Sequence, residues 1–152
     1  MRILLVSSTK KEIEYYRNNR VEEFIIGIGI PNAILNLTKK LSEEAYDLVI
    51  NTGICGSFKK KFKIGDVVEV INDKFSEIGY EDSSNIREFD KSFEIKTNFC
   101  VNPKTNLKNV SAITVNTVHG NLDSIIKVSN RLNPDIETME GAAVFMVCQY
   151  FN

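Results

Sequence analysis

The chain has 152 residues, 43% hydrophobic and 26% charged, with 19 Lys and Arg against 20 Asp and Glu and a net charge of -1. That is enough chain for one globular domain with a sizeable core, and the even charge speaks against nucleic acid or a membrane surface as the main partner. No apolar run approaches the roughly 20 residues that span a bilayer. The apolar part of "MRILLVSSTKKE" is too short for a signal peptide, and the widely spaced Cys55, Cys100 and Cys148 fit neither a disulfide framework nor a zinc site. A cytoplasmic protein with no metal and no cofactor is expected.

"RILLVSS" is rich in branched residues and reads as a strand buried on both faces. Polar residues then open a helix near Thr9, a natural N-cap. A second strand, "EEFIIGIG", ends at Gly27 and Gly29. "PNAILNLTKKLSEEA" places Ile34, Leu37 and Leu41 on one helical face, with Pro31 at the helix start. "YDLVINTG" is a third strand, and the alternation of strand and helix predicts a parallel α/β sheet. "FKKKFK" reads as a solvated turn with its lysines outward. "GDVVEVIND" forms the next strand, and residues 72–109 make a long excursion with one or two edge strands. "VSAITVNTV" resumes strand character. "NLDSIIKVSNRL" is a helix with Leu122, Ile125, Ile126, Ser129 and Leu132 on neighbouring turns. "PDIETMEGAAVFMVCQYFN" is extended after Pro134 and helical from near Gly141. No repeat or linker interrupts this order. The expectation is one α/β domain over residues 1–152, with a mixed, mainly parallel central sheet flanked by helices.

Ligands of parallel α/β sheets bind beyond the carboxyl ends of the strands. Four segments lie there: Ser7 to Glu12, Gly27 to Ile30, Thr52 to Ser57, and Thr138 to Glu140. Glycines in "GIGIPN" and "INTGICGSF" would let the backbone approach a ligand, although any tight turn after a strand needs glycine too. "GIGIPN" lacks the third glycine of a dinucleotide fingerprint and the Lys-Ser/Thr pair of a P-loop. Glu12 follows the first strand, and Glu140 stands where an extended segment turns helical. A glutamate in a first helical turn also serves the helix dipole alone. His119 lies in a loop, where a lone histidine is commonly just exposed. Cys55 suits a tight bend and has no basic neighbour in sequence to activate it.

In their order along the chain, "MRILLVSSTKKEIE", "GIG", "YDLVINTGICGSF", "IGDVVEV" and "ETMEGAA" resemble the nucleoside phosphorylase and nucleosidase superfamily. "DKFSEIGYED", "ITVNTVHGNLDSI" and "ETMEGAAVFMVC" resemble, within it, the futalosine hydrolases, a group similar to the methylthioadenosine/S-adenosylhomocysteine nucleosidases. The resemblance implies hydrolysis of a purine nucleoside, futalosine to dehypoxanthine futalosine and hypoxanthine in menaquinone biosynthesis. A methylthioadenosine/S-adenosylhomocysteine nucleosidase or a nucleoside phosphorylase is the alternative.

Residue by residue, the resemblance makes Glu12 the glutamate that activates the attacking water, and Glu140 the one that holds the ribose hydroxyls. Thr138 and Met139 join Glu140 at the sugar. Ile28 and Gly29 match the loop near the sugar and water. Ile54, Cys55 and Gly56 match the turn beside base and sugar, and Val118 and His119 the purine-stacking loop. The chemistry is coherent: breaking an N-glycosidic bond builds positive charge on the ribose, which a carboxylate stabilises while another orients water. Arg2, Arg17, Arg20, Arg87 and Arg131 all lie outside the glycine turn, which favours water over phosphate as nucleophile.

The family pattern continues past residue 152 with a strand, a loop carrying the residue that assists the leaving purine, and a long helix. The chain is therefore expected to be C-terminally truncated, with a non-catalytic nucleoside-binding remnant as a further alternative. Some of Phe145, Met146, Tyr150 and Phe151 are then expected in solvent beside an unpaired strand edge, making the chain marginally stable or a homodimer. The expected partner is a small purine nucleoside.

Overall fold

The computed structural model describes residues 1–83 and 85–151. Its first sheet contains β1 (Ile3–Ser7), β2 (Val21–Ile25) and β3 (Leu48–Asn51), in the order β2-β1-β3 with both pairings parallel. β1 is central, and its side chains are almost all buried, as a continuous branched run demands. β2 is an edge strand and mostly exposed. Between β2 and β3 runs α1 (Ile30–Glu43), opened by proline at its first turn and burying Ala33 and Leu37.

The second sheet has the order β4-β10-β9-β5-β8. It is built from β4 (Gly56–Ser57), β5 (Val68–Phe75), β8 (Asn98–Cys100), β9 (Lys108–Thr114) and β10 (Ile136–Thr138). β10-β9 and β9-β5 pair parallel; β4 and β8 pair antiparallel at the edges. A small hairpin of β6 (Tyr80–Asp82) and β7 (Asn85–Arg87) occupies the excursion before β8. α2 (Leu122–Leu132) joins β9 to β10, and α3 (Gly141–Tyr150) follows β10.

α3 explains the apolar "GAAVFMVC" segment. It packs against α1 and against strands of both sheets, so a helix apolar on most sides is covered on most sides. Leu4, Val6, Ile26, Ala33, Leu37, Phe75, Phe99, Ala142, Ala143, Val144 and Val147 form the main core. Phe75 and Phe99 meet edge to face at 5.8 Å. Leu37 is fully buried there, so truncating it to alanine costs about 2–5 kcal/mol. Phe145 and Met146 are half-buried against this core, whereas Tyr150 is 80% exposed and Phe151 38%. Among the described residues β3 pairs on one side only. No helix of the described residues is long and apolar enough to cross a membrane.

The α/β class and mixed, mainly parallel pairing are as expected from the sequence, with three differences. The strands form two larger sheets rather than one central sheet. The helix expected at Thr9 is a single 3₁₀ turn, Lys10–Ile13. "GS" at 56–57 is a short strand rather than part of a turn, because its backbone finds a partner in β10. α2 turns its Val128 side inward while Leu122 and Ile126 stay exposed. In "FKKKFK" Phe58 and Phe62 pack inward. Its lysines face outward, with Lys61 paired to Asp135.

Candidate functional site

β1, β2 and β3 run parallel and in register, Ser7 beside Ile25 and Val6 beside Asn51. The segments leaving them therefore emerge at one end of the sheet, where ligand sites form. The 3₁₀ turn after β1 carries Glu12. One carboxylate oxygen accepts the Thr9 N–H at 2.8 Å and its hydroxyl at 3.1 Å. The other lies so close to Gly53, after β3, that a Cβ there would stand 2.9 Å from it. Glycine at 53 thus makes room for the carboxylate.

Glu140 is brought to the same end from the far side of the chain. It is the N-cap of α3, yet its side chain does not cap its own helix. Its Oε1 accepts the N–H of Gly29 at 2.7 Å, across 111 positions. Gly29 is the N-cap of α1 with φ of 87°, a conformation glycine adopts without strain. The Glu140 carboxylate therefore faces the starts of two helices, whose dipoles favour negative charge. The N–H groups it leaves uncapped on α3 find other acceptors. Gly141 donates to Thr138 Oγ1 at 3.2 Å, and Ala142 to Thr114 Oγ1 at 2.7 Å. Since β1 lies between β2 and β3, the loops that touch Glu140 and Glu12 leave strands about 10 Å apart.

A third carboxylate lies three residues before Glu140, in β10. Glu137 is 4% exposed in β10. It accepts the His119 backbone N–H at 3.2 Å, and its Oε2 lies 2.6 Å from His119 Nδ1. Gly56 adjoins it, with a Cβ there 3.1 Å from the carboxylate. The imidazole also meets the Phe58 ring edge to face at 6.2 Å. Asn116 ties the start of the same loop to Glu77.

The other expected site residues are distributed around these acids. Ile28, Ile54 and Val118 are exposed, at 55%, 87% and 51%. Ile54 and Cys55 lie between the glycines that touch Glu12 and Glu137. Partial burial pushes the Cys55 thiol up from its ordinary value, so it is no thiolate at neutral pH. Thr138 serves as acceptor at the start of α3. Met139 packs with Phe58 against Ile113, Val115 and Val128, which places it behind the His119 loop. Glu137 and Phe58 were not singled out in the sequence. A cavity of about 250 Å³ lies elsewhere, lined by residues that include Asn72, Lys74, Ser111 and Arg131 but none of these acids.

Among the described residues, neither Glu12 nor Glu140 has a lysine or arginine within ion-pair distance. Two carboxylates held by N–H and hydroxyl groups alone are free to stabilise a cationic centre between them. A family model described as the phosphorylase superfamily matches residues 6–152. The chain belongs to that superfamily. It is similar to a 5′-methylthioadenosine/S-adenosylhomocysteine nucleosidase of Exiguobacterium sp., at 44% identity over 54 residues, 36% of this chain and 23% of that protein. It is similar to a DeoD-type purine nucleoside phosphorylase of Buchnera aphidicola, at 24% identity over 140 residues, 88% of this chain and 58% of that protein. The chain thus spans less than two thirds of either relative. The native structure of futalosine hydrolase from Helicobacter pylori superposes with a TM-score of 0.82 at 17% identity, covering 99% of this chain and 82% of that one.

Proposed function

We propose that this chain hydrolyses the N-glycosidic bond of a purine nucleoside, with futalosine as substrate and hypoxanthine as the released base. The observation that carries the reading is the pair of cation-free carboxylates at one sheet end, Glu12 against Gly53 and Glu140 on the Gly29 N–H. In this reading Glu140 accepts hydrogen bonds from the ribose hydroxyls and opposes the charge that grows on the sugar. Glu12 orients water and takes its proton. Ile28, Gly29, Thr138 and Met139 border the sugar, Ile54, Cys55 and Gly56 wall the nucleoside, and Val118 and His119 complete the base side.

Water is favoured over phosphate because four of the five arginines are engaged elsewhere. Arg2 bonds Glu44, Arg87 pairs with Asp82, Arg131 donates to the Ser76 carbonyl, and Arg17 to carbonyls of its own turn. Incubation with futalosine, methylthioadenosine and inosine, with and without phosphate, tests the proposal. Phosphate-independent release of hypoxanthine from futalosine supports it. Release from methylthioadenosine instead supports the second reading, which the 44% identical relative favours. Product that requires phosphate, or nucleoside binding by calorimetry with no product, defeats hydrolysis.

A further inference from the structure

The cavity of about 250 Å³ lies where β5 and β9 meet the end of α2, and the proposed reaction makes no use of it. Asn72 of β5 pairs with Ser111 of β9, and Lys74 with Ile113, so these four side chains share one face of the sheet. Asp73 and Thr114 alternate to the other face, beneath α3. A sheet face under a helix is ordinarily apolar. Here Ile113 joins Val115, Val128 and Leu132 in an apolar cluster, but Asn72, Lys74 and Ser111 leave the space beside it polar, with Arg131 of the last α2 turn lining it too. Among the described residues Arg131 makes one hydrogen bond, to the Ser76 carbonyl at 2.8 Å, and no carboxylate lies within ion-pair distance of it. Most donors of its guanidinium are thus left without a protein acceptor. Burial pulls this group down from its ordinary value, opposed by the more distant Glu77 and Glu88, yet an arginine stays charged at neutral pH. Lys74 pairs with Glu88, whose side chain is 56% exposed.

We propose that this cavity binds a phosphate group, held by Arg131 and Lys74 in place of Glu88. A half-buried cation without a counter-ion is costly, and a planar guanidinium grips phosphate through two parallel N–H···O bonds while an ammonium adds a point charge. A phosphate group carries about -1.5 to -2 at pH 7, which the two cations match once Glu88 swings into solvent. Glu88 is the internal stand-in: its carboxylate occupies Lys74 until an oxyanion arrives. A volume of about 250 Å³ falls just below the roughly 300–1,000 Å³ of drug-sized sites. It suits inorganic phosphate or the phosphate ester of a small sugar, whose hydroxyls Asn72 and Ser111 would meet. The cavity is on the sheet face opposite α3, so a phosphate held there stands apart from Glu140.

Calorimetric titration with inorganic phosphate and with ribose 5-phosphate, in about 0.15 M sodium chloride, tests the proposal. At least one should bind at a single site per chain and raise the melting temperature, and the tighter of the two is the form the cavity takes. Binding of neither at up to roughly 10 mM, where a specific site would show a thermal shift, overturns the proposal. Arg131→Gln and Lys74→Gln should each weaken binding about 10–100-fold. Glu88→Gln removes the competing carboxylate and should tighten binding about 2–5-fold. Lys127→Gln takes the same charge from an exposed position of α2 and should change affinity less than about 2-fold. Equal weakening by Lys127→Gln would mean a general field in place of a site and overturns the proposal. So does loss of binding through Glu140→Gln with Arg131→Gln unimpaired, which would put the phosphate at the other sheet end. Where Arg131→Gln fails to fold, Lys74→Gln and the exposed Glu88→Gln carry the test, and unchanged affinity in both overturns it.

Discussion

The two ends of the β2-β1-β3 sheet treat carboxylates in opposite ways. At the end where the strands begin, Glu22 and Glu44 both meet cations. Lys40 reaches both Glu22 and Glu44 at 2.6 Å, and Arg2 reaches Glu44 at 2.6 Å and Glu22 at 3.5 Å. Tyr46 donates to Glu22. Lys40, followed by Arg2, holds the Glu44 carboxyl down to about 2. At the end where the strands finish, Glu12 and Glu140 have N–H and hydroxyl partners only. The first arrangement is finished without a ligand, while the second leaves negative charge for something else to meet. Charge balance therefore separates these structural acids from the proposed site acids.

Removing site charge should cost the most. Glu140→Gln keeps an acceptor for the Gly29 N–H and loses only the charge. It is expected to lower kcat/KM on the preferred nucleoside about 10²–10³-fold while the melting temperature holds. A parallel collapse of folding would make Glu140 a structural acid after all.

Next comes a carboxylate with neither cation nor ligand. Asp73 is fully buried beneath the start of α3, with one oxygen accepting from Thr114 at 2.9 Å and the other unpartnered among the described residues. Burial pushes its carboxyl up to about 7, against the pull of the Thr114 hydrogen bond. The folded state therefore holds this proton more tightly than the unfolded one. Stability from this group is full below about pH 4, falls as pH rises toward 7 and is level above. Asp73→Asn should raise stability at pH 8 by about 2–4 kcal/mol and leave it unchanged near pH 4, as chemical denaturation at the two pH values would reveal. Equal effects at both would mean that packing, not ionisation, governs the site.

Gly53→Ala is smaller and more selective. The added Cβ meets the tip of the Glu12 side chain, which can move at little cost to folding but then misplaces the base. Activity should fall about 10-fold with an unchanged melting temperature, and unchanged activity would detach Glu12 from the reaction. Smallest of all, Lys40→Met should leave turnover as it was and lower the melting temperature by less than about 3 °C. A loss of activity there would show that the two sheet ends are coupled.

Much of this was legible in the sequence for a physical reason. Strand-end glycines and acids follow apolar runs whose periodicity is plain, so Glu12, Gly29, Gly53 and Glu140 could be placed at one sheet end. Glu137 could not. β10 is three residues long, too short to display an alternation, and Ile136 and Glu137 are both buried. A charged residue inside an apolar strand needs a partner, and the lone His119 was the available signal. The helix of α2 was legible, but not its inward face, because Ile125, Ile126 and Val128 are alike in sequence and only packing decides among them. β4 was invisible, since two residues acquire strand character only from the β10 edge they meet.

The Gly29–Glu140 hydrogen bond has a consequence for the order of folding. It closes a loop of 111 positions, and contacts so distant in sequence form against an entropy that local turns escape. β1, β2, α1 and β3 can assemble from near neighbours, leaving the Gly29 N–H facing water. The carboxylate arrives only when α3 is seated on Thr114 and Asp73. A chain folded only through β3 would therefore lack the proposed site, and ligand recognition there would report complete folding. A lesion that loosens the seat of α3 would empty the site before it melts the strands beneath.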